Sequence, residues 1–178
     1  TQKTIDFINS KKITLDDVMG KNLPDPKGTP PDQKINDSTI SGIDANKNYI
    51  RDDVELAIFR KYPDSARIRA AELQYAQALQ LELTQVFNSE TLVVILRKRS
   101  NARSCIDDVG PKISLKNTHE ELVIGIAIND SRKKEVDDFV ANTNLRLEKQ
   151  SNNLDKYMTT YSLPPSQDCD IEPLSLPN

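Results

Sequence analysis

The sequence predicts an all-α fold, an antiparallel bundle of about five helices with irregular arms at both ends. Two observations predict it, and a third limits it. Through the middle of the chain, apolar residues return at spacings of three and four. Asp, Ser, Asn and Thr stand just ahead of those runs, as helix caps do. Prolines gather at the two ends and break regular structure there. A chain of 178 residues fits a single domain with a real core, and with no Trp that core must be built mainly from Leu, Ile, Val and Ala. The expected organisation is an N-terminal arm over residues 1–41, a helical body over 42–163 and a tail over 164–178.

Residues 1–20 read as a short segment with one helical turn or two. Thr14 caps Leu15-Asp16-Asp17-Val18, whose acidic residues suit a helix N-terminus. Residues 21–41 contain Pro24, Pro26, Gly28, Pro30 and Pro31, which leaves an extended arm or disorder. An acidic loop over 44–55 runs into a helix striped by Val54 and Ile58, which Tyr62-Pro63 ends. Asp64 is expected to cap the next helix, from 65 to about 87, with Ile68, Ala71, Tyr75, Ala78, Leu79 and Val86 inward. Asn88-Ser89 opens a helix from 90 to about 106, which Gly110-Pro111 ends.

Thr118 with Glu121 is a capping box ahead of the apolar run over 122–128. Asp130 or Ser131 is expected to start a separate helix with Val136, Phe139, Val140, Thr143 and Leu147 on its inward face. Residues 150–163 are ambiguous, and the tail after Pro164-Pro165 is coil, held only if Cys169 is tied down.

Lys and Arg number 24 against 27 Asp and Glu, a net charge of -3. That balance supplies neither the basic face a nucleic-acid binder needs nor a polybasic membrane patch. The longest apolar run, residues 92–96, is far short of a membrane span. The first residue is Thr1, which fits removal of a leader. The expectation is an exported protein, periplasmic or extracellular, with attachment to an envelope left open. Neither Cys105 nor Cys169 belongs to a CxxC pair, which disfavours a zinc or redox site. In an oxidising compartment the two are expected to pair; two free thiols are the alternative.

The most specific chemistry lies in Asp44-Ala45-Asn46-Lys47-Asn48-Tyr49-Ile50-Arg51-Asp52-Asp53-Val54-Glu55. Asp44, Asn46 and Asn48 alternate, so a tightly curling loop aims three oxygen side chains at one centre. Ile50 falls where a backbone carbonyl is supplied, Asp52 at the ninth position and Glu55 at the twelfth, where one bidentate carboxylate closes the shell. That donor set suits Ca²⁺, which takes six to eight oxygens. The alternative is a metal-free turn of Asp and Asn residues, with Lys47 and Arg51 neutralising the acids.

The segment resembles the calcium loop of EF-hands, dockerins and thrombospondin type 3 repeats, with the pattern D-x-[DN]-x-[DN]-G-[VI]-x-D-D-x-E. The wider stretch GIDANKNYIRDDVELAIFRKYPDSARIRAAELQYAQAL is similar to an uncharacterised group of exported bacterial helical proteins. The resemblance implies a structural Ca²⁺ held by Asp44, Asn46, Asn48, Ile50, Asp52 and Glu55. Two departures stand out. Tyr49 occupies the glycine position, where a left-handed backbone costs about 1–3 kcal/mol for a bulky residue. No helix precedes Asp44, so the lever of a calcium sensor is missing.

Other candidates read as structural. His119, the one histidine, lies at a helix start beside Glu120 and Glu121. Asp107-Asp108 and Asp137-Asp138 are adjacent pairs on polar faces, and Arg97, Lys98, Arg99 and Arg103 read as a solvated face. The expected function is a calcium-stabilised binding or structural protein without catalytic activity, its partner another protein. An immunity protein against a secreted toxin and a carboxylate-based hydrolase are the alternatives.

Overall fold

The computed structural model describes residues 1–25, 31–114, 116–163 and 169–178. Pro26, Gly28, Pro30, Pro164 and Pro165, read above as breakers, lie outside them. Among the described residues the chain is all-helical, and its helices pack into a bundle. The helices are α1 (Gln2–Ser10), α2 (Leu15–Val18), α3 (Gln33–Asn36), α4 (Asp52–Lys61), α5 (Ala66–Gln85), α6 (Ser89–Val109), α7 (His119–Val140) and α8 (Asn144–Tyr157), followed by a 3₁₀ turn at Pro173–Ser175. None is long and apolar enough to cross a membrane.

The bundle is organised around α5. Sixteen of its 20 residues are buried, so it is a central rod and not the one-sided helix its stripe suggested. Its small residues Ala70, Ala71, Ala76 and Ala78 let neighbours approach, while Leu73, Leu79, Leu81 and Leu83 fill the core. Burying a Leu contributes about 2 kcal/mol.

Four polar residues of α5 are hydrogen-bonded outward and hold the loops and the tail. Arg69 donates to the carbonyls of Val18, Tyr62 and Pro63. Gln77 donates to Asn48 O at 2.8 Å and Gln80 to Ser41 O at 2.8 Å. Gln74 accepts from the Asp170 amide in the tail at 2.9 Å. Two apolar clusters flank the rod. One gathers Val18, Val54, Ile58, Tyr75, Leu79, Cys105 and Val136; the other gathers Ile8, Leu81, Leu92 and Ile95.

The caps explain most boundaries. Thr14, Asn88 and Thr118 each form a reciprocal capping box. At α5 the cap is Ser65, which accepts from the Ile68 amide, and not the expected Asp64. The N-terminal segment is more regular than expected, since α1 spans nine residues and sends Ile8 into the second cluster.

The expected break at Asp130 or Ser131 does not occur, and α7 runs unbroken to Val140. Asp130 lies 3.6 Å from Lys133, one turn on along the same helix. The chain breaks later, where Thr143 caps α8. That shift turns Arg146 inward and leaves Leu147, expected inward, 52% exposed. Over 122–128 the chain is helical, as the Thr118 cap led one to expect, and Val123, Ile124, Ile126 and Ile128 are exposed on it.

The four basic residues of α6 are not a solvated face either. Arg97 donates to Ser162 O, Lys98 to Lys11 O, Arg99 to buried Glu82 and Arg103 to the Tyr75 hydroxyl. Cys105 and Cys169 form a disulfide, which fixes the tail to α6. The tail then reaches α5, where Pro177 O accepts from the Arg67 amide at 3.1 Å.

Candidate metal centre

The loop over 44–55 enters through a tight bend. Gly42 has φ +62°, and a Cβ there would lie 2.3 Å from the Arg51 side chain and 2.7 Å from Asn36 Oδ1. Asn36 is fully buried and accepts from the Ile43 amide at 2.9 Å, so the loop starts from a fixed point.

From there the chain curls on its own oxygens. The Asp44 carboxylate accepts from the amides of Asn48 at 3.2 Å and Tyr49 at 2.9 Å, the fifth and sixth loop positions. Asn48 Oδ1 accepts from the Ile50 amide at 2.9 Å, and Asp52 Oδ1 accepts from the Ala45 amide at 2.9 Å. Lys47 and Tyr49 take left-handed φ values of 59° and 65°. Tyr49 thus adopts the backbone that glycine supplies at this position in the loops it resembles.

Glu55 stands at the centre. It is fully buried on the first turns of α4, and its two oxygens accept only from side-chain amides, Asn46 Nδ2 at 2.9 Å and Asn48 Nδ2 at 3.1 Å. Burial pushes its carboxyl up to about 8; the two amides pull it down, and the charges of Asp17 and Asp52 push it further up. Asp52 is raised by burial and by the charges of Asp44 and Asp53, and Asp44 is raised by burial against its backbone hydrogen bonds.

Neither expected neutraliser serves these acids. Lys47 is exposed. Arg51 is buried and turns away, pairing with Asp53 and donating to the carbonyls of Phe139 and Val140 at the C-terminus of α7. No Lys or Arg among the described residues forms an ion pair with Asp44, Asp52 or Glu55.

Hydrogen bonds therefore gather Asp44, Asn46, Asn48, Asp52 and Glu55 around one bend, where Ile50 gives its amide to Asn48 Oδ1 and buries its side chain in the first core cluster. Sequence reasoning missed two residues from far upstream. Asp17 accepts from Thr14 and from Asn22 Nδ2 at 3.0 Å, and Asn22 O accepts from Asn46 Nδ2 at 2.7 Å. Burial works against the Asp17 charge, but these hydrogen bonds outweigh it and hold its carboxyl below the usual range. The Thr14 cap was visible in the sequence; its reciprocal bond with Asp17 and its position beside the loop were not.

Among the described residues, no group of three or more His, Cys, Asp or Glu side chains is gathered as a ready-made metal shell. At Glu55 the space between carboxylates is taken by the two Asn amide nitrogens. A half-turn of each amide about its Cβ–Cγ bond exchanges nitrogen for oxygen. The donor chemistry, carboxylates and amide oxygens with no thiol or imidazole, is that of a hard cation. Comparison of the chain with family models, with curated proteins and with solved structures finds no match, so the resemblance of the loop rests on its own residues.

Proposed function

We propose that this chain is a calcium-stabilised binding or structural protein, exported, and without catalytic activity. Asp44, Asn46, Asn48, the Ile50 carbonyl, Asp52 and Glu55 would hold the ion. The single observation that carries the reading is Glu55: a carboxylate removed from water, flanked by further acids, and met by no cationic side chain. Burying it costs either the bare charge or, with the carboxyl pushed up to about 8, the proton it holds near neutral pH. A divalent cation offsets that cost, and the ion supplies cross-linking charge, not reaction chemistry.

The role that suits this position is structural. The loop joins α2 through Asn22, α5 through Gln77 and α4 through Glu55, so an ion there locks the N-terminal segment to the central rod. With three formal carboxylates and two amides, affinity in the extracellular range, about 10⁻⁴ M, is expected. At roughly 1 mM free calcium, that affinity adds about 1.4 kcal/mol of stability. The disulfide supports the assignment to an oxidising compartment. The non-catalytic reading is supported by His119, exposed at the first position of α7. Calorimetric titration of the full chain with CaCl₂ tests the proposal. One binding event, weak for Mg²⁺ and lost in Glu55→Gln, is expected; no saturable heat with calcium defeats it.

A further inference from the structure

The N-terminal half of α7 is apolar and meets water. Residues 122–129 carry no charge, in a chain that is 29% charged. Ile124 is 52% exposed and Ile128 39% exposed, with Val123 exposed beside them. Branched aliphatic side chains gathered in water on one helix mark a contact surface.

The order of residues on that face says what covers it. Glu120, Ile124, Ile128 and Arg132 recur every four residues, so they form one ridge along the helix. The ridge reads acid, isoleucine, isoleucine, base. Turned end for end, it is its own complement. The charges around it leave both ends open. Lys61 pairs with Glu135, Lys133 with Asp107 and Asp130, and Lys134 with Asp138. The Glu121 carboxylate closes the capping box with Thr118. Lys112 and Asp108 line a different cavity, with Ile126, and Lys116 lies ahead of the helix. Glu72 is buried near Arg132, and burial pushes its carboxyl up to about 8, so it brings little charge at neutral pH. Among the described residues neither Glu120 nor Arg132 forms an ion pair. Arg132 gives one hydrogen bond, at 3.4 Å to Val109 O.

We propose that a second copy of this chain docks on this ridge, across a two-fold axis that passes between Ile124 and Ile128. Ile124 meets the partner's Ile128, and Glu120 meets the partner's Arg132, each contact occurring twice. Ridges of this spacing interdigitate with the helix axes inclined by about 50°. The isoleucines leave water, and the charges at the two ends fix the direction and register of the pair. A membrane or an unrelated protein gives no reason for that reversal symmetry. The strip is short, so the dimer is expected to be weaker than about 1 µM. The inference is independent of the calcium loop.

Sedimentation velocity of the full chain at neutral pH in calcium-free buffer, from about 1 µM to about 1 mM, tests it. A monomer–dimer equilibrium is expected. Glu120→Arg and Arg132→Glu each set like charges together at both ends, and each alone is expected to weaken the dimer at least about tenfold. Mixing the two variants brings opposite charges back to both ends, so the mixture is expected to recover the dimer, as is the variant carrying both changes. Ile124→Ser and Ile128→Ser, both at exposed positions, are each expected to weaken it about tenfold without moving the melting temperature. A chain that stays monomeric at about 1 mM overturns the proposal, whatever else it binds. So does an unchanged dimer in any of the single variants, or no recovery on mixing two charge variants whose melting temperatures show them folded.

Discussion

Tyr49 keeps a glycine conformation at φ 65°, and the reason lies in its ring. The ring meets Phe7 edge-on at 5.2 Å, and the Lys11 ammonium sits 4.5 Å above it. Strain of about 1–3 kcal/mol is set against an aromatic contact and a cation–π contact that tie α1 to the loop. Tyr49→Gly removes the strain and the packing together. Truncating an aromatic that packs on the core costs about 3 kcal/mol. The variant is therefore expected to lose about 1 kcal/mol of stability in urea denaturation; a gain would show that strain dominates.

Glu72 gives a pH prediction at the same scale. It is fully buried on α5, and neither oxygen accepts a hydrogen bond of good geometry. Burial pushes its carboxyl up to about 8, and the Glu135 charge adds to this, while Tyr62, Arg132 and Lys61 oppose it. The folded state therefore holds this proton more tightly than the unfolded chain does. Its contribution is fully present below the ordinary carboxylate range and is lost as pH rises through about 8. Glu72→Gln is expected to be close to neutral at acidic pH and stabilising in alkaline buffer, read from denaturation midpoints. A variant equally destabilised across the range would contradict this.

At the scale of elements, Arg146 does the most to place α8. It is fully buried and donates to the carbonyls of Asn36, Thr39 and Ile40, to Asn142 Oδ1 and to Asp37. Removing it strands those acceptors. Arg146→Ala is expected to cost about 3 kcal/mol or more and to speed amide exchange over residues 36–43. Unchanged exchange there would mean that α8 does not hold the arm.

Arg146 also marks the limit of what could be read from the sequence. The caps at Thr14, Asn88 and Thr118 were legible because a capping box is local chemistry. The α7–α8 break was not, because Asp130 and Ser131 resemble a cap, whereas α7 runs on through them and the chain breaks at the Thr143 cap. The buried arginines and the polar residues of α5 are misleading because their acceptors are loop carbonyls far away in sequence. In the loop, spacing picked out the six positions proposed as donors, and the turn they form is what the structure shows of them. Asp17 and Gln77 were not legible, since nothing local says which segment packs on the bend.

At the scale of the whole molecule, two cross-links, one in the structure and one proposed, tie distant parts of the chain to α5 and α6. One is the disulfide, closing a separation of 64 residues, for which chain entropy gives about 4 kcal/mol. Cys169→Ser is expected to lose about that much and to release the tail contacts of Arg67 and Gln74, seen by denaturation and by proteolysis at the C-terminus. Stability unaffected by reduction would show that the apolar contacts of Ile171 and Leu176 suffice.

The other cross-link is the proposed ion, and crystals grown in millimolar CaCl₂ test it most directly. One peak is predicted within about 2.3–2.6 Å of oxygens from Asp44, Asn46, Asn48, Ile50 and Glu55, with Asp52 direct or through water and the Asn amides turned oxygen-inward. A bend without such a peak, its amide nitrogens still on Glu55, would contradict the account.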